Sequence, residues 1–477
     1  MTSMTAMPSP GPRRLWRWGI AAVVLLLLLA GGAVAFVLLH APGNVSHPNL
    51  SFTSSTTSTS TTTTTKAKRP VVLNTFEWPR YGFDAGRTRF FAASPRLGPP
   101  LHVGWRFNDF ALLEFPPVIY RNTMFLLDDN GSAKAINKLT GRVLWAHHVG
   151  TLAAASPAIG VHEGLVFMPV LSTNGHRPGN GRFVALSMKT GRVVWSRTVG
   201  AGSESSPMVW GSTVYFGDQS GRMYALRARD GHQYWTYQAS AAIKGGPALS
   251  SGILYFGDYA GRAYAVNSDT GHQVWAVSTS GARFGFGSGE FYSTPAVAFG
   301  RVYMGNTDGR VYSFAARTGQ LAWATGTGAY VYASPAVENT PGLGPTVYIG
   351  SYDGNMYAFD ARSGAVRWTH NAGAKISGAA TIVGNVVYFS VLGAHNTQGL
   401  DARTGHQVFF YPDGAFNPVI ADPGAIYLVG YTVIYQMLPR RPQAARPAAS
   451  HSRPRSRPRQ RRLSAHRTKT THRPRRK

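Results

Sequence analysis

From about residue 101 to residue 438, apolar and polar positions alternate in short runs, each ended by Gly, Asp, Asn or Pro. This two-residue period predicts short β-strands joined by tight turns. One stretch shows the pattern in full. Ser206-Pro207-Met208-Val209 is followed by Val214-Tyr215-Phe216-Gly217-Asp218, Gly221-Arg222-Met223-Tyr224-Ala225-Leu226 and Asp230-Gly231-His232-Gln233-Tyr234-Trp235. These segments predict four strands, A to D, with Pro207 at the start of strand A, where a missing N–H is tolerated. The Asp-x-x-Gly stretch suits the B–C hairpin, because glycine takes positive φ without a Cβ clash.

The unit recurs. A turn glycine followed four residues later by an aromatic ring falls at Gly141, Gly191, Gly231, Gly271, Gly319, Gly364 and Gly405, in steps of 50, 40, 40, 48, 45 and 41 residues. A period near 40 with this alternation predicts the blades of a β-propeller. Trp145, Trp195, Trp235, Trp275, Trp323, Trp368 and Phe409 then end the D strands as apolar plugs between neighbouring blades. Trp105 lies 12 residues before Pro117, the spacing that also separates Trp145 from Pro157. It therefore reads as a D-strand residue without strands A to C before it. Asn417-Pro418-Val419-Ile420, Ala425-Ile426-Tyr427-Leu428 and Thr432-Val433-Ile434-Tyr435 are strands without a final tryptophan. The two remnants predict an eighth blade closed by an N-terminal strand near residues 101–107, which leaves no open blade edge.

The motif Ser-Pro-Ala…Val-Tyr-Phe-Gly-Asp…Gly-Arg…Tyr-Ala-Leu…Thr-Gly…Val-Trp resembles the repeat of the pyrroloquinoline-quinone-type (PQQ-like) β-propellers over roughly residues 76–438. The lead-in Trp78-Pro79-Arg80-Tyr81 with Arg87-Thr88-Arg89 is also similar to that of the family. The resemblance implies an all-β, eight-bladed ring. It also implies two kinds of function: a protein-binding adaptor, as in outer-membrane assembly lipoproteins of the BamB type, or a quinoprotein dehydrogenase holding PQQ and Ca²⁺ in the propeller funnel.

The ends suggest where the ring works. Residues 19–39 carry no charge, follow Arg13, Arg14 and Arg17, and precede no Lys or Arg until Lys66. The stretch is long enough to span a bilayer and its flanks keep residues 1–18 cytoplasmic, so the propeller is expected to be extracytoplasmic on a single-pass anchor. The alternative is secretion after signal-peptide cleavage at Ala33-Val34-Ala35. Residues 40–75, rich in Ser and Thr, are expected to form a stalk. The absence of cysteine removes disulfides and thiolate chemistry.

Of the formal charge of +28, 15 Lys and Arg lie in residues 440–477 without an acid. The region 439–477 therefore reads as a disordered Arg/Pro-rich tail. Its expected partner is an anionic wall polymer or lipid headgroup. Nucleic acid is not expected outside the membrane, and the tail has no aromatic residue for base stacking.

Candidate chemistry gathers on the face that carries the D–A and B–C connections. The expected binding residues are His176 and Arg177 in blade 2, Arg283, Phe284, Phe286, Glu290, Phe291 and Tyr292 between blades 4 and 5, and His395 and Asn396 in blade 7. The residues that lead into strand A predict a channel mouth lined by Glu114, Glu204, Lys244, Tyr292, Tyr332 and Ser377, with Lys375 close by. Asp218, Asp258, Asp308 and Asp353 read as hairpin formers. His147 and His148 are adjacent and so face opposite sides of a strand. No catalytic or metal-binding set emerges. The expectation is a monomeric binding ring for an envelope protein, without cofactor, and PQQ with Ca²⁺ belongs only to the dehydrogenase alternative.

Overall fold

The computed structural model describes residues 22–32, 43–53, 75–175, 181–279 and 289–439. It is an all-β, eight-bladed propeller. The first seven blades begin with strands Val118–Tyr120, Ala158–Gly160, Met208–Trp210, Ala248–Ser250, Ala296–Ala298, Ala336–Thr340 and Thr381–Val383, and each continues as an antiparallel meander. Blade 8 consists of Val419–Asp422, Ala425–Val429 and Val433–Pro439, with Leu101–Asn108 as its outer strand. Trp105 sits opposite Gln436 in that ladder, as its isolated position in the sequence predicts.

The repeated aromatic and the repeated glycine meet across each blade interface. Nε1 of Trp105, Trp145, Trp195, Trp235, Trp275, Trp323 and Trp368 donates to the carbonyl of Lys138, Met188, Ala228, Ser268, Ala316, Ala361 and Ala402 in the following blade, at 2.8–3.0 Å. The turn glycine of that next blade lies on the same indole. A Cβ on Gly231 would stand 2.7 Å from Trp195 Cε3, and the residue already holds φ +73°. Glycine is needed here for conformation and for close approach together.

The lead-in residues run round the inside of the ring. Glu77–Trp78 pairs with the innermost strand of blade 1. Main-chain N–H groups of Ile159, Leu249, Val297, Val337 and Ile382, on blades 2, 4, 5, 6 and 7, then donate to the carbonyls of Pro79, Ala85, Gly86, Thr88 and Arg89 at 2.7–2.9 Å. Phe90–Phe91 adds a short parallel strand to blade 7. Fully buried Arg87 pins this plug by donating to the carbonyls of Tyr81, Ser206, Pro207 and Pro247 at 2.6–3.0 Å. A buried guanidinium is tolerable because its donors are met by carbonyls.

Residues 43–53, expected in the stalk, pack on the ring instead. Val45–Ser46 adds an outer strand to blade 5. Phe52 stacks on Phe299 at 5.6 Å, and Arg301 and Arg362 donate to the carbonyls of Ser51 and Pro48. Residues 22–32 of the expected membrane span are helical, while 19–21 and 33–39 lie outside the described residues. No helix among the described residues is long and apolar enough to cross a membrane. Most of the Ser/Thr run and the tail from residue 440 also lie outside them.

Candidate functional site

Six of the channel-mouth residues expected from the repeat register line one cavity, whereas Ala154 and Ala415, which hold the same register, and Lys375 do not. Glu114, Glu204, Lys244, Tyr292, Tyr332 and Ser377 line a narrow funnel that also includes Tyr81 of the plug. Each is placed by a recurring main-chain bond. The hairpin residues Asp129, Gln219, Tyr259, Thr307, Tyr352 and Leu392 donate their N–H to the carbonyl two residues before the corresponding funnel position, at 2.9–3.1 Å. The hairpin tips thus add a second set of side chains to the mouth.

One arc of the funnel is acidic. Glu204 accepts hydrogen bonds from Gln219 Nε2 at 2.5 Å and Tyr292 Oη at 3.3 Å, and pairs with Lys244 Nζ at 3.2 Å. Burial pushes the Glu114 carboxyl up to about 7, with further upward pressure from Asp129 and Glu204 and a smaller opposing pull from Lys244. The next arc is aromatic. Tyr259, Tyr292, Tyr332 and Tyr352 follow one another with ring centroids 6.3, 5.7 and 4.9 Å apart. Lys244 lies 4.7 Å from the Tyr259 centroid and Lys375 5.4 Å from that of Tyr352. Burial, then Glu114 and Glu204, drive the Tyr292 hydroxyl well above its ordinary value, so it stays a hydrogen-bond donor. At the base, Tyr81 Oη donates to Asn417 Oδ1 at 2.9 Å, and Asn417 Nδ2 donates to the Glu114 carbonyl at 2.7 Å.

The expected surface residues fare unevenly. Phe291 is not a surface anchor; it is fully buried against blade 5, edge-on to Tyr312 at 6.1 Å. It holds the position just before a funnel residue, as Leu113, Ile243, Val331 and Ile376 do, and alternation turns that position into the blade interface. Gly257 makes room for it, since a Cβ there would stand 2.4 Å from Phe291 Cβ. Asn396 begins strand C of blade 7 and is also buried, its side chain donating to the Ala394 carbonyl at 3.5 Å and accepting from Gln398. Glu290 is half-buried, with its N–H donating to Thr307 Oγ1 at 2.7 Å. His395 is exposed and meets Tyr431 edge-on at 5.2 Å. His176, Arg177, Arg283, Phe284 and Phe286 lie outside the described residues.

The hairpin acids do form turns, but from two registers. Asp218 and Asp258 open the hairpin, whereas Asp308 and Asp353 stand two places later, where Asn306 and Ser351 open it. Each also accepts the hydroxyl of a strand-C tyrosine: Tyr224, Tyr264, Tyr312 or Tyr357. Sequence reasoning missed Gln219, Tyr259 and Tyr352, which the residue after the hairpin opener would have revealed. It also missed the exposed aromatics of the same face, Phe110, Tyr330 and Tyr431.

The sequence profile of a family described as "Outer membrane protein assembly factor BamB" matches residues 103–209, 129–339 and 308–437. This chain belongs to the BamB family. No curated protein matches its sequence. Among solved structures, BamB from Moraxella catarrhalis superposes with a TM-score of 0.58 at 17% identity, covering 71% of this chain and 99% of that one. A europium-containing methanol dehydrogenase gives 0.61 at 14% identity, over 74% and 89% of the two chains. Quinohemoprotein alcohol dehydrogenase from Comamonas testosteroni gives 0.61 at 13% identity, over 78% and 82%. At these identities the likeness is one of fold, and the same ring serves BamB and dehydrogenases.

The donor set of this BamB-family funnel does not fit a resident Ca²⁺. Such an ion takes about six to eight oxygens. Both Glu204 oxygens are already engaged, and no three His, Cys, Asp or Glu side chains among the described residues converge as a metal site.

Proposed function

We propose that this chain is a membrane-anchored, extracytoplasmic binding scaffold that presents the funnel-bearing face of its propeller to an envelope protein. The observation that carries this reading is the funnel itself, walled by tyrosines and carboxylates and lined at its base by Tyr81 of the plug, on the face where Phe110, Tyr330 and Tyr431 are exposed. Exposed aromatics around a preformed recess are the usual anchors of protein recognition. Membership of a family described as an assembly factor supports a protein partner. The basic tail adds a second, weaker attachment to an anionic surface, raising effective concentration there.

The test is cross-linking and capture from intact membranes with the full chain, a form ending at Leu438, and the full chain carrying Tyr330→Ala and Tyr431→Ala. Capture that survives truncation but falls at least tenfold in the tyrosine variant supports recognition by this face. Capture lost on truncation alone moves recognition to the tail. A quinoprotein dehydrogenase remains the competing reading because of the fold likeness and the two funnel glutamates. Dye reduction with an alcohol, PQQ and Ca²⁺ would establish it and displace the scaffold reading.

A further inference from the structure

The funnel contains an acid that lacks a counter-charge. Among the described residues, the Glu114 carboxylate has no hydrogen-bond or ion-pair partner, although its own carbonyl is held by Asn417. Asp129 from the blade 1 hairpin and Glu204 from the start of blade 3 add negative charge. Lys244 offsets Glu114 only in part, because it is engaged with Glu204 and lies over Tyr259 and Tyr292. An unpaired carboxylate in a half-buried recess beside other acids is costly, and a bound cation would relieve that cost. Lys244 already lies over Tyr259 and Tyr292 and Lys375 over Tyr352, and the Tyr332 ring between them favours the same charge. An anion meets repulsion from the carboxylates. A neutral sugar satisfies their hydrogen bonds but not their charge.

We propose that the funnel receives the positively charged end of a flexible guest, an alkylammonium or guanidinium group, seated by Glu114 against the tyrosine arc, with Glu204 adding negative charge beside it. The proposal rests on the binding reading above and names the chemistry of its recognition. Two sources supply that group: a free polyamine, or a Lys or Arg side chain on a partner polypeptide.

Calorimetric titration of the full chain in detergent micelles distinguishes them. The probes are spermidine and a short acetylated, amidated peptide containing Arg and Lys, with glucose and inorganic phosphate as controls. At least one cationic probe should bind, and Glu114→Gln and Tyr332→Ala should each weaken it about tenfold while the melting temperature holds. Binding should also strengthen by on the order of tenfold between pH 5.5 and 8, as Glu114 ionises among Asp129, Glu204, Lys244 and Tyr292. Spermidine alone binding assigns a polyamine; the peptide alone binding assigns a basic side chain. Binding of glucose or phosphate in their place, or indifference to Glu114→Gln, overturns the proposal. If no cation binds yet Glu114→Gln still impairs partner capture, the ligand class is wrong and the scaffold reading survives. If capture is also indifferent to Glu114→Gln, the funnel is not the seat of recognition.

Discussion

Single residues carry most of what the repeat encodes, and their exceptions explain themselves physically. Seven D-strand tryptophans find a carbonyl in the next blade, but blade 7 ends in Phe409. Phenylalanine fills the plug position at that interface without an N–H that needs an acceptor. Glu338 is a different exception, an acid buried on the innermost strand of blade 6 with one hydrogen bond, donated by Thr340 Oγ1 at 3.1 Å. Burial pushes its carboxyl up to about 7, so the fold prefers the protonated form. The contribution to stability is full below the unfolded value, about 4.3, and is lost as pH rises through about 7. Glu338→Gln should match the parent near pH 4 and exceed it at pH 8, by on the order of 2 kcal/mol in chemical denaturation. Parallel stability–pH curves for the two proteins would refute this.

Strands and hairpins were legible where they repeat and obscure where they do not. The A-to-D meander, the N-terminal strand completing blade 8 and the channel-mouth positions all follow from fixed spacings, and alternation fixes which way each side chain points. Phe291 was misread because it was grouped with the insertion before it, although the register that puts Tyr292 in the funnel turns its neighbour into the blade interface. The plug and the 43–53 segment were not legible as such. They are single copies, and their hydrogen bonds go to blades far away in sequence. The 43–53 segment acts as an edge cover. With it in place Ala322 and Trp323 of blade 5 are fully buried, while the equivalent Trp195 and Trp235 stay partly exposed. Removing residues 1–53 should leave the ring folded but expose that edge. The measurable outcome is faster amide exchange confined to Leu321–Gly326 and a melting temperature lower by a few degrees. Unchanged exchange there would mean that the segment is not seated in solution.

The complete molecule is tied together by its N-terminal region, which covers blade 5, plugs the channel and closes blade 8 before the first complete blade begins. These long-range pairings make ring closure depend on nearly the whole chain, so the propeller should unfold as a unit. The tail lies outside this dependence. The last residue paired in blade 8 is Pro439, opposite Leu101, and 15 of the 48 Lys and Arg follow it. Residues 77–439 mix acids with bases, whereas the tail has no acid to compensate its charge and holds more cations than the six that precede the first acid, Glu77. Attraction to a polyanion should therefore reside there, at on the order of 1 kcal/mol per cation near an anionic surface and falling with salt. On an immobilised polyanion, the full chain in detergent should elute only at high salt, and the form ending at Leu438 at much lower salt with an unchanged melting temperature. Co-elution of the two would show that the ring itself supplies the anionic attachment, and the tail would lose its assigned role. Separation of the two, with partner capture intact in the shorter form, would divide the labour as the charge distribution implies: recognition by the acidic, tyrosine-lined funnel, retention at the surface by the tail.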